Sequence, residues 1–233
     1  MNKTTLMFGS IGTLMETSDV QRRAYNQALA EAGLNWVWKR DIYAELLNQS
    51  GGQDRLRMLA SATGTVLSQQ QIEAIHTRKT DIACQELASR RTPLRPGVAE
   101  LLALAKQRSM KLAFVTTTNQ DNIDAIFKSA GDALHKGDFE YIGSNTQVSQ
   151  GKPWPEAYLK ALEQLGSQAT QSLAIEDTAV SVMSAKRAGL QVVATPGDIS
   201  GGQDFWQADL VCRSLLDAQG AVDSGVLAML GHG

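Results

Sequence analysis

Five short apolar runs, separated by stretches of helical spacing, constrain this chain more than any other feature. Residues 5–8, 111–116, 140–143, 172–175 and 191–195 are each bounded by turn formers. Residues 98–108, 155–166 and 180–189 carry helical periodicity between them, and residues 210–230 read as a closing strand and helix. This alternation predicts an α/β fold in which a parallel sheet is covered by helices on both faces. Ligands of such sheets gather beyond the carboxyl ends of the strands. Gly9, Thr116 and Asp177 each fall just past a predicted strand end.

Residues 18–91 break the alternation. Residues 20–32, 41–48, 54–63 and 68–89 read as helices with no strand among them, and Ser68 with Gln71 forms a capping-box signature before the longest. A helical module over residues 17–91, inserted into an α/β core of residues 1–16 and 92–233, is the expected organisation. Its hinges fall near residues 16–18 and 90–96, where Pro93 and Pro96 interrupt regular structure. The pentapeptide Ser-Gly-Gly-Gln-Asp occurs at 50–54 and again at 200–204 with unmatched flanks, which indicates two unrelated loops.

The chain's 233 residues suffice for a full core plus an insertion. A formal charge of -2 and a pI near 5.9 leave no electrostatic footprint for nucleic acid or an acidic membrane surface. No apolar run approaches the roughly 18 residues of a membrane span, so a cytoplasmic location is expected. Cys84 and Cys212 are too few for a disulfide framework or a metal cluster and read as reduced, buried thiols.

Four segments can carry chemistry. Leu6-Met7-Phe8-Gly9-Ser10-Ile11-Gly12-Thr13-Leu14 is an apolar strand running into a turn. Phe114-Val115-Thr116-Thr117-Thr118-Asn119 ends a strand in hydroxyls, which suit either a phosphate or a simple turn. In Gly151-Lys152-Pro153-Trp154-Pro155, proline at a helix start preorganises the lysine as a point charge for an anion. Glu176-Asp177 offers two hard oxygen ligands for Mg²⁺ at a strand end, or else Asp177 caps the next helix.

In this order the four segments resemble the motifs of the haloacid dehalogenase (HAD) superfamily, whose first motif reads D-x-D-G-T-L. The resemblance extends to the CbbY-like sugar-phosphate phosphatases and covers nearly the whole chain, including Tyr43-Ala44-Glu45-Leu46-Leu47 and Ser50-Gly51-Gly52-Gln53-Asp54-Arg55 in the insertion. It implies a Rossmann-like HAD core with a parallel sheet and a helical cap that closes over a small phosphorylated sugar. In such enzymes the first motif aspartate attacks phosphorus, the second moves the proton, and Mg²⁺ sits beside them. Carried over by position, Thr116 and Lys152 match the catalytic positioning residues. Glu16, Arg55, Thr116, Thr117 and Lys152 match substrate-facing positions, and Asp177 with Glu176 matches the metal ligands. Gln53 stands where the related loop often has lysine.

The departures lie at the reacting centre. Gly9 and Ile11 occupy the two aspartate positions. Glycine cannot form a phosphoenzyme and isoleucine cannot move a proton. Hydrolysis is therefore expected to be impaired and Mg²⁺ binding weak or absent. Lys152, with no nucleophile to face, is free to hold an anion, unless Ile11 occludes the pocket. Ser10 is adjacent, but one residue along a strand points to the other face; a distorted turn could rotate it inward, where it would still need a base. His76, His135 and His232 lie near no motif. The expected ligand is a phosphorylated sugar or another small anion; the oligomeric state is not legible. Two other readings stay open, an active phosphatase with a non-standard nucleophile and an interaction module with no small ligand. Trp36 and Trp38 are expected to pack the cap, Trp154 and Trp206 to pack at the core rim, and Asp19 and Asp121 to stand at helix starts.

Overall fold

The computed structural model describes residues 2–231. Strand β1 (Thr5–Phe8) is wholly buried, pairing in parallel with β2 (Lys111–Phe114) on one side and β4 (Ser172–Glu176) on the other. β3 (Tyr141–Ile142) extends the sheet beyond β2, while β5 (Gln191–Ala194) and β6 (Leu210–Val211) extend it beyond β4. The order is β3-β2-β1-β4-β5-β6. Parallel neighbours need crossovers, and helices supply them. In the core these are α5 (Val98–Gln107), α6 (Gln120–Ala130), α7 (Glu156–Leu165) and α8 (Ala179–Arg187), with α9 (Ser224–Leu230) closing the chain.

Strand residues alternate between two hydrophobic layers, as the pleat requires. Leu6, Phe8, Leu112, Phe114 and Ile175 face the layer that includes α5 and α6, whereas Met7, Ala113, Ala174 and Val192 face α7 and α8. Burial on both faces explains why the strands read as unbroken apolar runs. The order reverses at β1, so the loops after β1, β2 and β4 open into one crevice.

Between β1 and α5 lie α1 (Ser18–Glu31), α2 (Arg40–Leu46), α3 (Gly52–Ala62) and α4 (Gln69–Ala88). The Ser68–Gln71 capping box is formed at the start of α4, and Asp19 and Asp121 occupy the first turns of α1 and α6. α4 packs along both α1 and α6, so the insertion shares the hydrophobic layer on one sheet face. Trp38 is buried between Tyr25 and Tyr43, with ring centroids 4.2 and 5.9 Å away, and half-buried Trp36 packs against the same layer.

Some expectations are corrected. Trp154 and Trp206 are 51% and 76% exposed rather than packed. Trp154 lies against the Arg187 guanidinium, 5.5 Å from its ring centroid. Cys84 and Cys212 are unpaired thiols but half-buried, because each sits where its layer meets solvent. The repeated pentapeptide spans the start of α3 in one copy and a short 3-10 turn in the other. Among the described residues no helix is long and apolar enough to cross a membrane.

Arg95 ties the chain's return from the insertion to the crevice. Its Nη1 donates to the carbonyls of Gly12 and Thr195 at 2.5 Å each, and Nη2 donates to Pro196 O at 2.9 Å. Arg95→Ala would leave three carbonyls without a charged donor and is expected to lower stability by about 2–3 kcal/mol in urea unfolding. Arg95→Lys should recover only part of this, since an ammonium cannot span the fork.

Candidate active site

The three central strands deliver their ends to a cavity of about 560 Å³ beneath the inserted helices. Ser10, Ile11, Thr116, Lys152 and Asp177 line its core side; Arg55, His76 and Lys79 line the cap side.

At residue 9 the strand continues normally, with Gly9 N donating to Ile175 O at 3.0 Å. A Cβ built there would overlap the Glu176 carboxylate and stand 2.6 Å from Thr13 Oγ1. The space a side chain at residue 9 would take is thus filled by Glu176 from the neighbouring strand. Glu176 is 1% exposed, and its Oε1 receives both the Lys152 ammonium and the Tyr158 hydroxyl. Its Oε2 faces the Thr13 hydroxyl at 3.4 Å. Burial, then the charge of Glu176, raises the Tyr158 pKa well above the usual phenol range, so Tyr158 remains a donor.

The expectation that Lys152 is free to hold an anion is therefore corrected. Lys152 is itself buried, and an unpaired ammonium there would cost several kcal/mol. Glu176 supplies its counter-charge.

Asp177 follows at the end of β4. Its Oδ1 accepts from Thr13 Oγ1 at 3.0 Å, and its carboxylate lies against Gly12, where φ is +80° and any Cβ would collide with Oδ2. Glycine is required there on both counts. Burial, then the adjacent Glu176, pushes the Asp177 carboxyl up to about 7. A divalent cation fits this donor set poorly. Residue 9 contributes no carboxylate, one Glu176 oxygen is committed to Lys152 and Tyr158, and no three His, Cys, Asp or Glu side chains converge as ligands among the described residues.

Ser10 departs from expectation. The chain leaves the strand after Phe8, with Thr13 N and Leu14 N both bonded to Ser10 O, and this turn swings Ser10 inward. Its Oγ donates to Thr116 Oγ1 at 2.9 Å. With its proton given to another hydroxyl rather than to an imidazole or carboxylate, Ser10 is not an activated nucleophile. Thr116 Oγ1 also accepts from Thr118 N at 3.2 Å, and half-buried Thr117 lies beside it on the cavity wall. Ile11 lines the cavity without closing it.

The remaining candidates separate. The Glu16 carboxylate accepts from Ser18 N at 3.1 Å and Asp198 N at 3.0 Å, bracing the hinge, and does not line the cavity. Arg55 does line it, with Nε donating to Leu46 O at 3.0 Å and Gln49 O at 2.8 Å. His76 and Lys79 also belong here and were missed. Their only signal was a spacing of three on one helix, which puts both on one face. Burial, then Lys79 and Arg55, lowers the His76 pKa to about 4; burial, then Arg55, lowers that of Lys79 to about 7. His135 precedes a 3-10 turn away from the cavity, and His232 lies outside the described residues.

Two outcomes follow. Gly9→Asp forces a second carboxylate against Glu176 and is expected to destabilise by about 2–4 kcal/mol. In a double-mutant cycle with Glu176→Ala, denaturant unfolding should show a favourable coupling; additive losses would mean that Glu176 does not hold the space at residue 9. The second concerns pH. Between about pH 7 and 10 the unfolded chain keeps a proton on Lys79 that the fold disfavours, so Lys79 makes stability rise with pH in that window. Stability curves of the native chain and Lys79→Met should differ by this slope.

The arrangement has known counterparts. The chain is 39% identical over 214 residues to Protein CbbY of Rhodobacter capsulatus, covering 90% of this chain and 92% of that protein. The crystal structure of CbbY from Rhodobacter sphaeroides in complex with phosphate superposes with a TM-score of 0.84 at 32% identity, covering 94% of this chain and 99% of that one. A mutant of the same protein, in complex with xylulose-1,5-bisphosphate, gives a TM-score of 0.84 over 96% of this chain and 100% of that one, again at 32% identity. A profile of the haloacid dehalogenase-like hydrolases matches residues 6–189, and with it the chain belongs to that family, on a CbbY-like phosphatase scaffold.

Proposed function

We propose that this chain binds a phosphorylated sugar or a similar small anion in the cavity under its cap and hydrolyses it little or not at all. One observation carries the reading: the space of a side chain at residue 9 holds Glu176, whose charge is committed to Lys152. Residue 11 offers no proton carrier in compensation, and Ser10 has no base. The phosphate and xylulose-1,5-bisphosphate complexes of the Rhodobacter sphaeroides relative support a sugar phosphate as the ligand class. The hydroxyls of Ser10, Thr116 and Thr117 are among the cavity's neutral polar contacts on the core side. Mg²⁺ binding is weak or absent in this reading, because Asp177 and half of Glu176 are too few ligands. The absence of a strong basic charge argues against nucleic acid as a partner, and a cytoplasmic setting belongs to the same proposal.

A second reading has a specific observation in its favour. Glu176 is a carboxylate in the place of the lost one, so it could accept the phosphoryl group itself. Against this, one oxygen is held by Lys152 and Tyr158, and the neighbouring carboxyl, Asp177, is engaged by Thr13.

Incubation with a panel of sugar phosphates and Mg²⁺ is expected to release no phosphate above background. Near-saturating ligand should raise the unfolding midpoint by about 5 °C or more. Turnover that disappears in Glu176→Gln, with an acid-stable mass gain of one phosphoryl group at Glu176, would establish the second reading. Absence of any thermal shift would reduce the chain to an interaction module. Gly9→Asp with Ile11→Asp is expected to restore slow, Mg²⁺-dependent hydrolysis once Glu176 turns aside. An inert, folded double variant would place the divergence beyond these two positions.

A further inference from the structure

A smaller cavity of about 330 Å³ adjoins the main one, where the start of α3 meets the loop before α7. The two share Ser50, Gly51, Thr117 and Lys152 in their walls, so a ligand seated in the first can extend into the second. Ligand pockets run from about 300 to 1,000 Å³, and an annex at the small end of that range has room for one ring system.

The annex is lined differently from the main cavity. Val148, Pro153 and Trp154 give it an apolar wall, and exposed Asn145 and Gln150 border it. Asn145 N donates to Thr118 O at 2.9 Å and Gln150 N donates to Glu156 Oε2 at 2.7 Å, which fixes the backbone of both. Their amide side chains have no protein partner among the described residues and so offer donors and acceptors to a ligand. The charged side chains in the lining, Asp54 and Lys152, are already paired with Arg57 and Glu176. Such a space suits a neutral group and gives a second phosphate little to hold.

A single exposed indole is ordinary on a protein surface. Trp154 is exposed but also held. Its N donates to Gly151 O at 3.1 Å, and its carbonyl accepts from Ser184 Oγ at 2.6 Å. Arg187 donates to the Pro153 carbonyl at 3.1 Å and sets its guanidinium 5.5 Å from the indole centroid. Arg187 is not part of the annex lining, so the ring is braced from outside the space it borders. An indole fixed in this way and half open beside a cavity is a preorganised stacking platform.

We propose that the annex takes a flat heteroaromatic ring carried on the ligand's sugar, stacked on Trp154 with its polar edges toward Asn145 and Gln150. The ligand class is then a nucleoside monophosphate whose phosphate occupies the main cavity. This rests on the sugar-phosphate reading above and narrows it.

Calorimetric titration compares ribose 5-phosphate with adenosine 5′-monophosphate, the same phosphorylated sugar plus a base, in buffer containing Mg²⁺. The native chain should bind the nucleotide about tenfold or more tightly, the gain expected of one stacked base. Trp154→Ala should abolish that advantage while ribose 5-phosphate binds as before, and Trp154→Phe should keep part of it. Trp154 belongs to neither apolar layer, so both variants should fold. In the native chain the Trp154 indole N–H resonance should shift with the nucleotide and stay in place with ribose 5-phosphate, a readout that needs no variant. Equal affinity for the two probes, an advantage that survives Trp154→Ala, or an indole resonance unmoved by the nucleotide would overturn the annex and leave sugar-phosphate binding standing. A native chain that binds neither probe would remove both readings.

Discussion

The Lys152–Glu176 ion pair, closed by the Tyr158 hydroxyl, is the contact on which the chemistry of this site depends. A lysine buried at the mouth of a parallel sheet needs a counter-charge, and Gly9, just after β1, has no side chain to give one. Glu176 from β4 takes up the role. Its carboxylate fills the space left by a missing side chain, so the cleft floor stays packed and electrically balanced without residue 9. The same contact holds the Lys152 ammonium within the fold, and burial with the adjacent Glu176 charge raises the Asp177 pKa.

This pairing leaves the buried lysine of a HAD-like hydrolase fold neutralised from within the sheet. The two apolar layers and the Arg95 clamp on the first loop take no side chain from residue 9, while Ile11 packs against one of the layers. On the core side of the cavity Lys152 is paired with Glu176, and on the cap side Arg57 is paired with Asp54.

Most of the fold was legible because it is written in local pattern. The buried strands read as apolar runs, the capping box at Ser68 announced α4, and the prolines at 93 and 96 marked the return to the core. α6 was the exception, known in advance only through Asp121 in its first turn. Thr116, Thr117, Lys152, Glu176, Asp177 and Arg55, which motif order places at strand ends or in the cap loop, all line the cavity. The inward position of Ser10 was not legible, because it depends on backbone bonding after Phe8 that alternation along a strand does not express. Lys79 and His76 belong to no motif; only the packing of α4 over the crevice gives them meaning. Glu16 shows the converse, a residue matched by position whose carboxylate braces the hinge. The partnership of Glu176 with the empty space at Gly9 joins residues 167 positions apart and exists only in three dimensions.

The central claim, a pocket that retains its ligand without breaking the ester, is tested most directly by phosphorus NMR. The protein and an equimolar sugar phosphate would be followed over many hours with Mg²⁺ present. The account requires the ester resonance to shift or broaden through binding while no inorganic phosphate appears. Steady release of one or more equivalents of inorganic phosphate, lost when Glu176 is replaced by glutamine, would contradict it.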